Sequence, residues 1–461
     1  MNQNGVGMTS AAPARVLEGG QARPPGAPAR RGPLSRLRLD RASTPARLRW
    51  ALAWLTVATL AWGALATITA SQHASGAGTV VAASEPLAFD ALTAWESLSD
   101  ANDEASAAIL AGSLPPQAVV ARYQHDLDVA RTDILDAARR GGPAADLGTL
   151  TTGLDSYQDE VSRALANNQL GYPVGAAYLR QASALMTRTL LPLAHDLYTT
   201  EDARLTSTSA QATGLPLIVV TIVAGIALGV AYWRCGRWVH RRTNRVVNAG
   251  LLLAGVAGTI AAAWLGGAYL AGRADLLTAQ SQGSTPVQAL ASADIAVLKA
   301  HSDEALTLVN NSGDDPNEAD FGVQRTALGP GPGTLLTVAA QAAGGSPGAA
   351  RASAASAAAT AWFAQHALVR ADDNGKNPGV AGGGTHQEAV GLVVSGPAGK
   401  AFQALSGDLN EAITADNAAF AAQARSGQSA FSGLVPGMVA ITLIMAAALT
   451  WGLSRRLAEY R

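Results

Sequence analysis

Apolar residues along this chain are concentrated in four long runs. The runs occupy residues 48–70, 215–232, 247–270 and 434–453. About 20 apolar residues in an α-helix, at ~1.5 Å rise per residue, cross the ~30 Å hydrocarbon core of a bilayer. The first run lies deep in the chain and is too long for the apolar part of a cleaved signal peptide, so we interpret it as a signal-anchor span. The pattern predicts four transmembrane helices.

Between the first two runs, residues 71–213 carry apolar positions at the spacing of an α-helix. Ser84-Glu85-Pro86 is typical of a helix start, and helices are predicted at about 85–110, 117–140, 144–167 and from 174 onward. The predicted stops are Gly112 with Pro115-Pro116, Gly141-Gly142-Pro143 and the turn at 167–173. Four helices with short turns between two spans predict an antiparallel up-down bundle.

The segment between the last two runs, residues 271–433, repeats this pattern. At an offset of 200 residues the identical pairs are Ser84/Ser284, Pro86/Pro286, Ala91/Ala291, Leu98/Leu298, Asp103/Asp303, Glu104/Glu304 and Ala105/Ala305. At an offset of 205, Tyr157 aligns with Trp362 and Pro173 with Pro378. The sequence therefore predicts an internal duplication of span, bundle and span. In the second copy, glycines and prolines at 329–333 interrupt the second helix, residues 374–385 lengthen a turn, and the last helix starts near His386.

The net charge of −1 hides a strong partition of charge along the chain. Residues 1–49 hold nine arginines against two acids, and residues 233–246 hold five arginines and no acid. Residues 71–213 hold eight basic and 17 acidic side chains, and residues 271–433 hold eight and 14. Basic segments beside spans stay in the cytoplasm. Both termini and the central loop are therefore predicted to be cytoplasmic, with the two helical segments outside.

The predicted fold is an all-α membrane protein with four transmembrane helices and two duplicated extracytoplasmic antiparallel four-helix bundles, located in the plasma membrane. Its predicted parts are a disordered basic cytoplasmic tail (1–47), the first span (48–70), the first bundle (71–213), the second span (215–232), a cytoplasmic loop (233–246), the third span (247–270), the second bundle (271–433), the fourth span (434–453) and a cytoplasmic tail (454–461).

No motif for catalysis is present in the sequence. The seven histidines are scattered without zinc-type spacing, and no nucleophile-elbow, Walker or Rossmann fingerprint occurs. The spans carry almost no ionisable residue, which disfavours transport. We therefore predict a non-enzymatic protein with no cofactor and no metal, whose partners include the lipid bilayer but no nucleic acid.

Three groups of residues are candidates for binding a partner. The turns farthest from the spans contribute Asn167, Asn168, Tyr172, Asp372, Asp373, Asn374 and Lys376. The acid pairs that recur between the copies are Asp103, Glu104, Asp303 and Glu304; because they fall off the apolar stripe, they are interpreted as exposed helix surface, with a role in binding as the alternative. A cytoplasmic surface for an acidic partner is offered by Arg234, Arg237, Arg241, Arg242, Arg245, Arg455 and Arg456, whose first role is to fix topology.

The order of spans and helical segments over residues 48–456 resembles the GlnX-type membrane proteins of actinobacteria. The resemblance implies a link between an extracytoplasmic glutamate/aspartate-binding protein, GlnH, and the cytosolic protein kinase PknG. It implies no functional residue, because it rests on span order, helical external segments and composition. The individual bundles are also similar to the four-helix ligand domains of bacterial chemoreceptors.

Three functions are compatible with the sequence. The first is a signal-relay receptor that senses a ligand-loaded binding protein, hence amino-acid availability, and signals to a separate cytosolic effector such as a kinase. The second is a structural scaffold of the envelope, and the third is a direct sensor of a small ligand. The sequence leaves open the ligand, the direction of the signal and whether the chain forms a homo-oligomer.

Overall fold

The computed structural model describes residues 44–243, 248–310, 315–377, 379–380 and 382–458. Within these ranges the chain forms helices and turns, with no strand. The helices are α1 (Thr44–Thr79), α2 (Glu85–Leu110), α3 (Gln117–Arg139), α4 (Ala144–Gln169), α5 (Val174–Leu185), α6 (Leu191–Ala212), α7 (Pro216–Thr243), α8 (Ala249–Ala279), α9 (Thr285–Asn310), α10 (Pro316–Leu328), α11 (Leu335–Ala342), α12 (Ala349–Asp373), α13 (His386–Val394), α14 (Pro397–Ser429) and α15 (Leu434–Ala458). The predicted all-α fold is confirmed. Most of the basic N-terminal tail lies outside the described residues.

Four of these helices, α1, α7, α8 and α15, contain stretches long and apolar enough to cross a membrane, as the apolar runs predicted. They form a four-sided arrangement in which α1 and α8 each pack against both α7 and α15. Small residues and hydroxyls mediate the contacts, as is usual between membrane helices. The Thr69 and Thr221 hydroxyls are 2.7 Å apart between α1 and α7, and Trp62 donates to the Thr221 carbonyl at 3.0 Å. These features characterise a multi-pass membrane protein.

The sequence Ser84-Glu85-Pro86 does not start a helix, contrary to the prediction. Instead, α1 continues into α2 through a π-helical turn at Val80–Ser84, in which the Glu85 amide donates to the Val80 carbonyl five residues back. The same turn precedes Pro192 and Pro286, at Met186–Leu190 and Gln280–Ser284. A proline ring clashes with the carbonyl four residues earlier and lacks an N–H. The wider π turn removes that conflict, so the helix passes the proline without ending.

Glycine and proline separate the first helices of the first half, α2, α3, α4 and α5. Gly112, Gly141 and Gly171 adopt φ values of 89°, 91° and 73°, the left-handed conformation that terminates helices without a Cβ clash. Pro116, Pro143 and Pro173 then stand immediately before α3, α4 and α5. The predicted bounds of the first three helices therefore agree with the structure to within two residues.

The second half, α9–α14, has the predicted interruption between α10 and α11. Its last helix is also divided, because α13 ends at Val394 and Pro397 starts α14 after the extended Gly396. The apolar pattern from His386 to the fourth span predicted one continuous helix, so this break was not predicted. Helices α2 and α9 begin and end 200 residues apart, and so do the π turns that precede them.

The two halves form one body, which we call the head, instead of two separate bundles. Helices α2 and α9 pack side by side, and one apolar core extends through both halves. Both helices therefore have a second buried face, which is built largely from small and polar side chains. Asn102 donates to the Ser302 hydroxyl at 3.0 Å across this contact, and the Ser106 and Ser302 hydroxyls are 3.1 Å apart.

Candidate functional site

A pocket of about 400 Å³ lies between the two halves of the head, enclosed by α2 and α3 on one side and by α9, α13 and α14 on the other. We call it the interhalf pocket. Its charged lining residues are Asp100, Asp103, Glu104, Arg122, Asp126 and His301, and Phe402 contributes an aromatic wall. Pockets of ~300–1,000 Å³ with a few convergent polar groups are the usual form of small-molecule sites. Four carboxylates against one guanidinium and one imidazole make this pocket strongly acidic.

His301 of α9 is the central side chain of the pocket wall. Its Nδ1 lies 2.6 Å from Asp103 Oδ1 of α2, and its ring stacks on Phe402 with centroids 3.7 Å apart. Burial lowers the pKa of His301, but the carboxylates of Asp103, Glu304 and Glu104 together raise it by more, so the net direction is upward and the imidazolium is favoured. Its Nε2 has no hydrogen-bond partner although the side chain is only 5% exposed.

Two other carboxyl groups of the pocket, Asp100 and Asp126, have raised pKa values. Asp100 and Asp126 form no salt bridge among the described residues. Burial, followed by the charges of Asp294 and Asp126, raises the pKa of Asp100 well above its usual range. Burial, followed by Glu104, raises the pKa of Asp126 to about 6. Asp294 of α9 is fully buried behind the pocket, and its pKa is also raised by burial. The empty pocket thus holds carboxyl groups that would be stabilised by a cation.

The repeated acid pairs are not exposed helix surface, which corrects the prediction. Asp103, Glu304 and Asp303 are 3%, 1% and 7% exposed, because α2 and α9 bury the face that carries them. The pairs also have different partners in the two halves. Glu104 forms a bidentate ion pair with Arg122 beside the pocket, with Arg122 Nη2 to Glu104 Oε2 at 3.3 Å. Glu104 and Glu304, which align between the two halves, therefore pair with different side chains.

In the second half, Glu304 points into the helical core and not into the interhalf pocket. It accepts from His366 Nδ1 at 2.7 Å and from Trp362 Nε1 at 3.4 Å. The other nitrogen of His366 lies 3.2 Å from Glu318 Oε1, so both ring nitrogens face carboxylates. Burial lowers the pKa of His366, but the hydrogen bonds to Glu304 and Glu318 raise it above its usual value. This arrangement needs a protonated imidazole.

The predicted partner-binding turns lie together at the end of the head farthest from the spans, which we call the tip. The α4–α5 turn and α13 line a cavity of about 290 Å³ there. Large apolar side chains are exposed on the first-half turns, namely Leu114 (89%), Leu170 (67%), Tyr172 (56%) and Val174 (44%). Of the predicted residues, Tyr172, Asn374 and Lys376 are exposed, and Asn167 is half-buried.

The other predicted tip residues hold the turns in place. Asn168 donates to the carbonyls of Ile109 and Gly112 at 3.1 and 2.8 Å, which ties two turns together. Asp372 is 4% exposed and accepts from Asn377 at 2.5 Å, so it is not available to a partner. Asp373 forms ion pairs with Arg370 and His386 at 2.5 and 2.7 Å.

The predicted cytoplasmic arginines lie where α7 and α15 end. Helix α7 extends through most of the basic segment, so Arg234, Arg237 and Arg241 are exposed on a helix. Arg237 stacks over Trp233 at 5.5 Å, and Arg455 stacks over Trp451 at 4.7 Å. Arg242 and Arg456 belong to α7 and α15, but their side chains, and all of Arg245, lie outside the described residues.

The pocket residues His301, Arg122, Asp100, Asp126 and Phe402 were not identified from the sequence. Asp103 and His301 are 198 residues apart, and no local spacing connects them. One signal was present: Asn102 occupied a position of the apolar stripe of α2, which indicates a buried polar contact on that helix. Among the described residues, no group of three or more His, Cys, Asp or Glu side chains has the geometry to hold a metal ion.

Comparison with known proteins gives a family-model match to part of the chain. No curated protein and no solved structure matches this chain. Residues 76–210, which comprise the end of α1, all of α2–α5 and nearly all of α6, match the family model described as an actinobacterial sensor domain. The match covers the first half of the head, including the first-half wall of the interhalf pocket, and it indicates a sensing or signalling role.

Proposed function

We propose that this protein is a non-enzymatic transmembrane sensor. An event at the extracytoplasmic head changes the packing of its two halves, and the spans pass the change to a separate cytosolic effector such as a protein kinase. The two halves arose by duplication of a span–bundle–span unit, as the 200-residue correspondence of α2 with α9 suggests. The sensor-domain match over residues 76–210 supports the sensing role.

The observation that carries this proposal is the continuity between head and spans. One rod runs from Leu48 to Leu110 over 63 residues, and its counterpart runs from Ala249 to Asn310 over 62 residues. The rods pack closely as α2 and α9 in the head, whereas α1 and α8 make few direct contacts among the spans. Signalling shifts between helices are typically ~1–2 Å. In this proposal, a shift of that size at the α2–α9 contact is transmitted along the rods to α1 and α8, which can separate because they make few contacts with each other.

The input in this proposal is a ligand-loaded amino-acid-binding protein that docks on the tip. Leu114, Leu170, Tyr172 and Val174 support this, because four exposed large apolar side chains grouped on adjacent turns are typical of a protein-binding surface. The output surface is the basic end of α7 and α15, where exposed arginines suit an acidic partner. An alternative input, direct binding of a small ligand to the head, is supported by the interhalf pocket.

A spin-label experiment tests the relay. Labels at Trp50→Cys and Leu252→Cys, both exposed near the basic ends of α1 and α8, report their separation in a Cys235→Ser chain reconstituted in nanodiscs. Adding the ligand-loaded binding protein is expected to shift the label distance by ~1–2 Å or more. The double variant Leu170→Ser/Tyr172→Ala is expected to abolish the shift.

Leu135→Ser is the matched control. Leu135 is also exposed, at 52%, but it lies on α3 away from the tip turns, so this variant is expected to respond like the wild type. A binding protein that associates with the tip without any change in the label distance would contradict the relay and would favour a scaffold role. Equal binding by the wild type and the tip variant, or equal loss of binding in the tip variant and Leu135→Ser, would contradict docking at the tip.

A further inference from the structure

We propose that a groove between the spans α7 and α8 binds an anionic phospholipid, whose acyl chain lies along the two helices and whose phosphate is held by Arg237. Two adjoining cavities form this groove, with volumes of about 690 and 240 Å³. Both cavities are lined by Gly229, Tyr232, Gly255 and Thr259, so they form one site, which we call the span groove. The site does not depend on the sensor function proposed above.

The span groove follows one face of each helix. Its larger cavity is lined on α7 by positions 229, 232, 233, 236, 237 and 240, and on α8 by positions 248, 251, 252, 255, 256, 259 and 260. This is the three- and four-residue spacing of a single helix face. At ~1.5 Å rise per residue the α7 face extends ~16 Å, about one leaflet of a ~30 Å hydrocarbon core. Leu252, Val256 and Ile260 at the rim are exposed, so the groove opens toward the bilayer.

Three glycines of the groove leave space that no protein atom fills. Glycines on facing membrane helices usually allow the two backbones to approach closely. At Gly229, Gly236 and Gly255, however, an added Cβ would have no atom within 4 Å. Trp62 of α1 and Met445 of α15 close the back of the deeper cavity. The space between α7 and α8 is therefore accessible to a molecule of the bilayer and not to a side chain of another span.

The hydroxyl and amide side chains of the groove wall bind protein partners, which leaves an apolar surface along the groove. The Tyr232 hydroxyl shares a hydrogen bond with Thr59 of α1 at 2.5 Å. Thr259 donates to a carbonyl of its own helix at 2.9 Å, and Asn248 accepts from an amide of the first turn of α8 at 3.1 Å. A polar ligand would find few partners on these walls, whereas an acyl chain needs none.

The basic end of the groove determines the charge of the headgroup. Arg237 is exposed, stacks over Trp233 at 5.5 Å and forms no salt bridge among the described residues. Residues 233–246 carry five arginines and no acid. Tryptophan is enriched where a span meets the headgroups, and basic pockets between membrane helices at this level bind anionic lipids. The planar guanidinium of arginine suits a phosphate, so an anionic phospholipid complements both the apolar length and the charged end.

Thermal melting of the full-length chain in detergent micelles, together with native mass spectrometry, tests the proposal. The probes are phosphatidylglycerol, phosphatidylcholine with the same acyl chains, and glycerol phosphate, which has the phosphate without the chains. Phosphatidylglycerol is expected to raise Tm by several degrees and to stay bound in the mass spectrum, because it joins α7 to α8. The zwitterionic lipid is expected to act only at much higher concentration, and glycerol phosphate is expected to have no effect.

Arg237→Gln is expected to raise the phosphatidylglycerol concentration required by about tenfold, as for a lost hydrogen bond to a charged group. Arg234→Gln is the matched control, because it removes the same charge from the same helix at an exposed position that does not line the groove. It is expected to respond like the wild type.

Gly229→Leu is expected to fill the groove and to abolish retention of the lipid. Gly267→Leu, on α8 outside the groove, is the matched control and is expected to retain it. An added Cβ has no atom within 4 Å at either glycine, so neither variant should lower Tm of the lipid-free protein. Loss of lipid binding in Gly229→Leu can therefore be distinguished from unfolding.

Several outcomes would overturn this inference. An equal response to the two phospholipids would show that the headgroup charge is not recognised. Equal weakening in Arg234→Gln and Arg237→Gln would show attraction to the basic segment as a whole, and full lipid retention in Gly229→Leu would place the lipid elsewhere. A lipid-free chain that is dimeric and becomes monomeric in Gly229→Leu would show that a second copy occupies the groove. Absence of any response to phosphatidylglycerol would also contradict the site.

Discussion

At the scale of single residues, Glu96 is a buried acid that the head keeps protonated. Its side chain is buried in α2, Oε1 has no hydrogen-bond partner, and burial, followed by Asp100 and Asp133, raises its pKa to about 8. An acid with a raised pKa in the folded state keeps a proton that the unfolded chain loses. Stability therefore falls as pH rises from the unfolded value near 4.5 to about 8.

Glu96→Gln is accordingly expected to stabilise the protein at pH 8 by on the order of a few kcal/mol, and to have little effect near pH 4.5. Thermal melting of both chains in micelles at the two pH values measures this difference. Asp196→Asn, at an exposed position of α6, serves as the control and should change Tm little at either pH. A Glu96→Gln chain less stable than wild type at pH 8 would show that the carboxylate has a partner.

His366 gives the opposite kind of dependence, because its charged form is the stabilising one. Its pKa is raised through Glu304 and Glu318, so its contribution is complete below about 6.5, the unfolded value, and is lost as pH rises through the higher folded value. His366→Asn is expected to cost about 3 kcal/mol at pH 6, as for a broken buried ion pair. The deficit should shrink at pH 9.

His125→Asn, at an exposed histidine, is the control. A loss of stability in His366→Asn that grows with pH would contradict a charged His366.

At the scale of elements, the packing of α8 on α15 depends on two glycines. A Cβ added at Gly250 would lie 2.3 Å from the Ala448 carbonyl oxygen, and one added at Gly452 would lie 2.6 Å from the Gly250 Cα. The two backbones therefore touch. Close contact of this kind is how membrane helices gain van der Waals attraction where lipid offers no hydrophobic drive.

Gly250→Val is expected to destabilise the protein by about 1–3 kcal/mol, the usual cost of overpacking. Gly255→Val is the matched control, because it lies on the same helix with nothing within 4 Å of the added Cβ. Thermal melting in micelles compares them. Equal melting temperatures for the two variants would contradict the close approach of α8 and α15.

Most elements were predictable because their signals are local. An apolar run of span length, or a Gly–Pro pair that ends a helix as at Gly141 and Pro143, acts within a few residues of itself. The π turns were missed because a proline before an apolar stripe is the usual sign of a helix start. At Pro86 the residues before the proline already form a helix, so the proline lies within a continuous helix and does not mark its start.

The joining of the two halves, and hence the pocket, was not predictable from local pattern. The face of α2 that contacts α9 carries Asn102, Asp103 and Ser106, and apart from Asn102 on the apolar stripe its sequence is typical of a solvated helix face. This face is buried only because α9, 200 residues away in the sequence, supplies hydrogen-bond partners for its polar groups, as Ser302 does for Asn102. The prediction of the tip turns follows from the up-down order of helices alone, and the structure shows that one of their residues, Asp372, is buried.

At the scale of the whole molecule, the contact between α2 and α9 lies beside the interhalf pocket and joins the two rods that continue into the spans. Phe402, His301 and Asp103 connect the pocket to this contact, and the α4–α5 turn connects the tip to both halves. A covalent link across the contact therefore tests the sensor without knowledge of its ligand.

Ser106 and Ser302 are suited to this link, because their hydroxyls are 3.1 Å apart and both side chains are buried. In a Cys235→Ser background, Ser106→Cys/Ser302→Cys is expected to form a disulfide on oxidation and to raise stability by about 2–4 kcal/mol relative to the reduced form. Electrophoretic mobility without reductant reports the bond. With labels at positions 50 and 252 attached after oxidation, the binding protein should still bind but should no longer change the label distance. Each single-cysteine variant controls for the substitution itself. A locked protein that still moves its labels would mean that the signal bypasses the α2–α9 contact and travels through α6 and α14 instead.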